Sequence, residues 1–178
     1  MRASDEADFI DYAESARGRL RQVAYLLCGD WDRAEDAVQE ALARLYARWS
    51  RIDRTAGIRT YAHRTVVSAV LDGAKRPWRR ERVTAQPVDE TVQDQRSGTS
   101  VEDRMVIVEA LAALPDRQRA CVVLRYFEDL TISETARALG VRDGTVKSQT
   151  SRGLESLRAA LVSGGYEPAT HSSEGITR

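Results

Sequence analysis

No stretch of this chain approaches the roughly 18 consecutive apolar residues of a membrane span, and its start, "MRASDEADFIDYAES", is acidic and lacks the apolar core of an export signal. The expected class is a soluble protein that is not exported and makes no membrane contact. Cysteine is scarce. Cys28 and Cys121 are far apart, match no zinc spacing, and sit in the apolar stretches "AYLLCGD" and "RACVVLRY", where a free thiol behaves as a small hydrophobe. That usage fits a reducing, cytoplasmic setting. Excess charge of either sign is missing too: 27 Lys and Arg balance 27 Asp and Glu, so any affinity for nucleic acid must come from local patches. Alternating β-branched runs, hairpin dipeptides and internal repeats are absent, which leaves an all-α chain. Only two histidines occur, none near Glu35, Asp36, Glu40 and Asp72 in the sequence, and no Gly-rich phosphate loop exists. No catalytic residue, metal or cofactor is therefore expected, and His63 reads as a surface or groove-facing residue.

Helical periodicity is present from residue 9 to about 80, fades over 83–104, and returns over 105–161. The expected organisation is a helical domain over 1–82, a flexible linker over 83–104, a second helical domain over 105–162, and a disordered tail over 163–178. In the first domain, Phe9, Tyr12, Leu20, Val23, Ala24 and Leu27 share a face, with Gly29 as a stop. Asp32, with Glu35 three residues on, suggests a capped start for the next helix, whose buried stripe is Val38, Leu42, Leu45 and Trp49. Its opposite face opens with Glu35, Asp36, Gln39 and Glu40, acids that suit a helix N-terminus in any case. A third helix carries Tyr61, Thr65 and Ala69 on one side with Val66, Val70 and Leu71 beside them. It runs into "KRPWRRER", where Lys75, Arg76, Arg79 and Arg80 surround Trp78. Such a run can hold phosphates while the ring stacks on a base, or it can be a solvated edge with the ring folded back.

In the second domain, "SVEDRMVIVEALAALP" is an amphipathic helix stopped by Pro115, and "DRQRACVVLRYFEDL" has Cys121, Val122, Leu124 and Phe127 to bury. Thr131 and Glu134 then form a capping box, Ala136 and Leu139 face inward, Gly140 permits a turn, and Asp143 can cap the next helix. Helix, glycine turn and helix in this order make a helix-turn-helix, whose second helix enters the major groove by its N-terminal residues. The spacing places Val146, Thr150, Leu154, Leu157 and Leu161 on the buried side. Thr145, Ser148, Ser151 and Arg152 then point outward, with Lys147 and Gln149 on the flanks. Short hydroxyls permit close approach to a groove, Arg152 can fork onto guanine O6 and N7, and Lys147 can take a phosphate.

These residues carry a family resemblance over about residues 9–161. The chain resembles an extracytoplasmic-function (group four) sigma factor of the sigma-70 family, close to the SigE-like actinobacterial subfamily. "GDWDRAEDAVQEALARLYARW" is similar to the polymerase-clamp helix of region two, and "TYAHRTVVSAVLDGAKR" to its promoter-melting helix. "ALAALPDRQRACVVLRYFEDLT" with "ARALGVRDGTVKSQTSRGLESLR" is similar to region four. The resemblance implies a dissociable initiation subunit whose acids at Glu35, Asp36, Gln39 and Glu40 dock on the clamp helices of the largest polymerase subunit. It implies that Arg64, Ser68, Lys75, Arg76, Trp78, Arg79 and Arg80 serve the minus-ten element. Thr145, Lys147, Ser148, Gln149, Ser151 and Arg152 would then read the minus-thirty-five element, with the flap of the second-largest subunit and an anti-sigma factor as further partners. Two positions depart from the family pattern: Ser68 stands where Asn is usual, and Thr135 where a larger apolar residue is usual. A stand-alone helix-turn-helix regulator would carry similar output helices.

Overall fold

The computed structural model describes residues 3–52, 57–74 and 101–166. The basic run at Lys75, Arg76, Trp78, Arg79 and Arg80, most of the expected linker and the expected tail beyond Tyr166 lie outside the described residues. The elements are α1 (Ala3–Cys28), α2 (Trp31–Tyr46), a 3-10 turn (Trp49–Arg51), α3 (Ile58–Ala74), α4 (Val101–Ala112), α5 (Asp116–Val122), a π-helical segment (Val123–Phe127), α6 (Ile132–Leu139) and α7 (Asp143–Ser163). Among the described residues there is no strand, as the absent alternation implied.

Gly29 ends α1 at a φ of 69°, a left-handed backbone that costs glycine little. The cap of α2 is Asp30 and not Asp32: the Asp30 carboxylate accepts from the Arg33 amide at 2.8 Å. The earlier start has a packing reason, because it places Trp31 in the first turn, stacked on Tyr25 with ring centroids 3.9 Å apart. Val38, Leu45 and Trp49 are buried as their spacing implied, and Leu42 is half-buried. Trp49 meets Phe9 edge-on at 5.2 Å and Tyr12 at 5.4 Å. In α3 the buried set is wider than the sequence stripe and adds Ala62, His63 and Val67.

The helix α4 starts at Val101, within the amphipathic stretch "SVEDRMVIVEALAALP" and overlapping the end of the expected linker. Asp103 lies in that first turn, where the helix dipole favours acids. Pro115 leads into α5, which continues as the π-helical segment, and Asp129 follows at a φ of 52°. The Thr131 hydroxyl accepts from the Glu134 amide at 3.2 Å while the Glu134 carboxylate accepts from the Thr131 amide at 2.8 Å, so the capping box is present. Gly140 makes the turn at a φ of 65°. Asp143 does not cap α7, which starts at Asp143 itself; its carboxylate accepts from the Ser133 hydroxyl at 2.8 Å and so fastens the turn. Thr135 is fully buried and its hydroxyl has no hydrogen-bond partner, a local cost of placing a threonine in this helix.

The expected stripe of α7 is only partly covered: Val146 is buried, whereas Thr150, Leu154, Leu157 and Leu161 are half-buried. The tightest contact is at Gly153, where a Cβ would stand 2.8 Å from Val122 Cγ2 and 3.2 Å from the Gln118 carbonyl oxygen. Glycine there lets α7 lie directly on α5. Gly153→Val should destabilise the fold by about 1–3 kcal/mol through overpacking, read as a lower urea midpoint at unchanged slope.

The two groups of helices pack on each other. The α4–α5 end and the π-helical segment rest on α1, while α6 lies along α3. One apolar cluster runs through both, from Leu20, Val38 and Val66 to Val108, Leu114 and Leu124.

Candidate nucleic-acid and partner interfaces

Three surfaces and one buried clamp emerge from this packing. On α7, Lys147, Ser148, Ser151 and Arg152 are exposed, and Thr145 and Gln149 are half-buried. Ser148, Ser151 and Arg152 face outward as the helical spacing specified, whereas Thr145, expected beside them, is half-covered and Lys147, expected on the flank, is exposed. The two serine hydroxyls of this face bond within the helix, Ser148 donating to the Thr145 carbonyl at 3.0 Å and Ser151 to the Glu155 carboxylate at 3.5 Å. The face stays smooth and short, with Arg152 and Lys147 as its long cationic reaches.

On α2, Asp36, Gln39 and Glu40 are exposed and Glu35 is half-buried. Asp36 and Glu40 line a hollow between α2 and α3 together with Arg33, Ala37, Ala69 and Gly73. Glu40 accepts from Arg44 at 2.5 Å, one turn on. Glu35 is differently employed. It is ion-paired with Arg17, and with Arg21 at 3.3 Å, and Gln39 donates to it at 3.0 Å. Burial alone would raise the Glu35 carboxyl, but these hydrogen bonds and cations hold it below the usual carboxylate range. Glu35 therefore secures α1 to α2, and the outward acidic surface is carried by Asp36 and Glu40.

On α3, Arg64 is exposed and Ser68 half-buried, with the Ser68 hydroxyl donating to Asp72 at 3.2 Å. Arg64 lines a groove between α3 and the α6–α7 turn, opposite Ser133, Arg137 and Asp143.

The clamp joins the two groups of helices, and the sequence reading missed it. Glu128 is 1% exposed. Its carboxylate accepts from Arg19 Nε at 2.6 Å and His63 Nε2 at 2.7 Å, and lies 3.3 Å from Arg59 Nη2. Arg59 also donates to the Glu128 carbonyl, and Arg19 to the Phe127 carbonyl at 2.7 Å while lying over the Phe127 ring. His63, expected as a surface or groove-facing residue, is thus buried, and its Nδ1 lies 2.7 Å from the Arg59 carbonyl. Both ring nitrogens thus lie within hydrogen-bond distance of an oxygen. Burial would push the Glu128 carboxyl up, but hydrogen bonding and charge from His63, then Arg19, outweigh it and hold it below its ordinary value. A depressed carboxyl contributes attraction above its unpaired pKa and loses it as pH falls through the paired one, so the clamp is set at neutral pH.

Arg119 forms a second tie. Its guanidinium donates to the carbonyls of Leu111 at 2.8 Å, Leu114 at 2.8 Å and Ala112 at 3.1 Å, and across the seam to Leu27 at the end of α1. Among the described residues no group of His, Cys, Asp and Glu is placed to hold a metal, and no helix is long and apolar enough to cross a membrane. Cys28 and Cys121 are buried, and burial pushes the Cys121 thiol up to about 11.

The comparisons with known proteins agree with this layout. The family model for Sigma-70 region 2 matches residues 13–80, and that for Sigma-70, region 4 matches residues 104–157. The RNA polymerase sigma-E factor of Streptomyces coelicolor is 32% identical over 157 residues, covering 87% of this chain and 86% of that one. The ECF RNA polymerase sigma factor SigM of Mycobacterium tuberculosis is 31% identical, covering 89% of this chain and 80% of that one. Among solved structures, the sigma factor RpoE of Bartonella quintana, crystallised with the anti-sigma factor NepR, superposes with a TM-score of 0.71 at 21% identity, over 87% of this chain and 97% of that one.

Proposed function

Since this chain belongs to the sigma-70 family of RNA polymerase sigma factors and so serves promoter-specific transcription initiation, we propose that its surfaces divide the work of initiation as follows. Residues 1–82 form the unit that meets core polymerase and the minus-ten element, residues 105–162 the unit that reads the minus-thirty-five duplex, and 83–104 the tether between them. Asp36 and Glu40, with Gln39 beside them and Glu35 behind, dock on the clamp helices of the largest subunit, and the carboxy-terminal unit meets the flap of the second largest. Arg64 and Ser68 on α3, with Lys75, Arg76, Trp78, Arg79 and Arg80 beyond it, capture the minus-ten strand. Opening duplex costs on the order of 1.4 kcal/mol per stacked step, and stacking a captured base on an aromatic ring returns roughly 1–3 kcal/mol. A few captured bases thus offset local melting with no catalytic residue in the subunit. The work is done in the cytoplasm, and an anti-sigma factor, the partner present in the Bartonella structure, is the inhibitor class proposed here.

One observation carries this reading: both sigma regions occur in order, and α7 of the second presents Ser148, Ser151 and Arg152 uncovered. Run-off transcription with purified core polymerase on a promoter library tests it. Transcripts should depend on the chain and share two upstream elements. A chain that binds promoter duplex tightly by itself and leaves core polymerase unprogrammed would instead be a stand-alone regulator.

Within α7, reading and holding should separate. Arg152→Ala should cost about 1–3 kcal/mol and relax preference at one minus-thirty-five position. Lys147→Ala should weaken all promoters alike and lower the salt slope by about one unit. Holoenzyme affinity across minus-thirty-five variants at two salt concentrations distinguishes them. A uniform loss for Arg152→Ala with a changed base preference for Lys147→Ala would overturn the assignment.

A further inference from the structure

We propose that the groove between α3 and the α6–α7 turn is a binding site for a small phosphorylated ligand of the nucleoside diphosphate class. The groove encloses about 550 Å³, within the range of sites that take small molecules. Its floor is apolar, formed by Tyr61, Ala136 and Val141. Gly57 and Gly140 line it too, and a Cβ built at either would meet nothing within 4 Å, so both leave space open. A flat organic body has room there, beside an aromatic side chain.

The rim is cationic. Arg64 stands on the α3 wall and Arg137 on the α6 wall, and both side chains are exposed. Among the described residues neither makes a hydrogen bond or an ion pair. Arg48 adds a third cation, donating from Nη1 to the Tyr61 hydroxyl at 3.2 Å. The nearby acids are engaged. Asp143 accepts from the Ser133 hydroxyl at 2.8 Å, and Glu134, near Arg137, accepts from the amide and the hydroxyl of Thr131 in the capping box. The rim therefore keeps an excess of positive charge with two guanidinium groups free to take an anion.

Their placement on facing walls favours a phosphoryl group over a carboxylate. A guanidinium grips a planar carboxylate along one edge, and one arginine then satisfies it. A terminal phosphate carries three oxygens around a tetrahedral centre and can be met from two walls at once. The same placement favours a small ligand over a nucleic-acid strand, whose successive phosphates call for cations in a row along one surface. Occupancy acts through Arg64. That residue is assigned above to the minus-ten strand, so a ligand seated in the groove competes with strand capture. This consequence rests on the sigma reading, whereas the binding itself does not.

Titration calorimetry of the free full-length chain with adenosine diphosphate tests the site, with inorganic pyrophosphate as the probe of charge alone and adenosine as the probe of the body alone. Adenosine diphosphate should bind one-to-one and about tenfold or more tighter than either probe. Arg64→Gln and Arg137→Gln, at exposed side chains that spare the fold, should each weaken it about tenfold. Arg158→Gln, at an exposed cation of α7 outside the groove, should leave it unchanged. Amide NMR shifts during the titration should centre on Gly57, Gly140 and Val141. Absence of saturable binding, a loss for Arg158→Gln equal to that for Arg64→Gln, or shifts centred elsewhere would overturn the site. So would tighter binding at those amides by a mixed-sequence oligonucleotide or an acidic peptide, which would make the groove a macromolecular surface. Run-off transcription keeps the two readings apart: saturable binding by a chain that leaves core polymerase unprogrammed supports the ligand site and counts against the sigma reading, while transcription without binding does the reverse.

Discussion

Reversing Asp36 and Glu40 together, as Asp36→Arg with Glu40→Arg, should weaken binding to core polymerase by about 2 kcal/mol or more, roughly thirtyfold, with the fold intact. Both acids are exposed on α2, away from Val38 and Leu45, and both line the hollow beside α3. The change sacrifices the Glu40 pairing with Arg44, an exposed one-turn ion pair worth only about 0.3–0.5 kcal/mol. Glu35 is left alone for a physical reason: its cations come from α1, so reversing it would loosen the packing of α1 on α2 and confuse folding with binding. Co-purification with core polymerase, alongside helicity and melting temperature, is the measurement. Unchanged co-purification of the doubly reversed chain would remove this surface from the interface.

Arg119→Ala should have the largest effect on stability, a loss of about 3–5 kcal/mol, because it leaves several helix-end carbonyls without a donor at once. The guanidinium is well suited to the place. Its planar fork reaches Leu111 and Ala112 at the end of α4, Leu114 just beyond it and Leu27 at the end of α1, while Asp116 lies 3.6 Å away. Arg119→Lys keeps the charge but offers a point donor instead of a fork, so it should recover less than half of the loss. Urea denaturation of the two variants checks both. Equal stability of Arg119→Ala and the wild type would show that water replaces the guanidinium at no cost.

The sequence exposed what depends on local spacing. The α7 face, the Thr131 and Glu134 box and the Gly140 turn each occupy a window of a few residues, and the structure contains all three. Caps were less legible. Asp30 and Asp32 are equally good cap residues in sequence, and the choice between them fell to the stacking of Trp31 on Tyr25. Glu128, Arg119 and His63 were missed or misplaced for a stronger reason. An acid in "RYFEDL" looks solvated until partners 109 and 65 residues away are brought to it, and the acceptors of Arg119 are backbone carbonyls, which no side-chain pattern encodes. Gly153 was passed over because a glycine within a helical pattern shows its purpose only when the neighbouring helix is seen against it.

The separation in sequence between Glu128 and its partners Arg19, Arg59 and His63 also has a consequence in time. A ribosome adds about 5–20 residues per second, and Glu128 is made 65 residues after His63 and 109 after Arg19. For roughly 3–13 s after His63 is added, at that rate, a nascent chain has Arg19, Arg59 and His63 but no carboxylate to join them. The acidic surface of α2 is made before that interval ends, ahead of α6, the helix that packs along α3. Birth order thus separates the two sides of the clamp: its amino-terminal side is made well before the carboxylate that ties it to the rest of the chain.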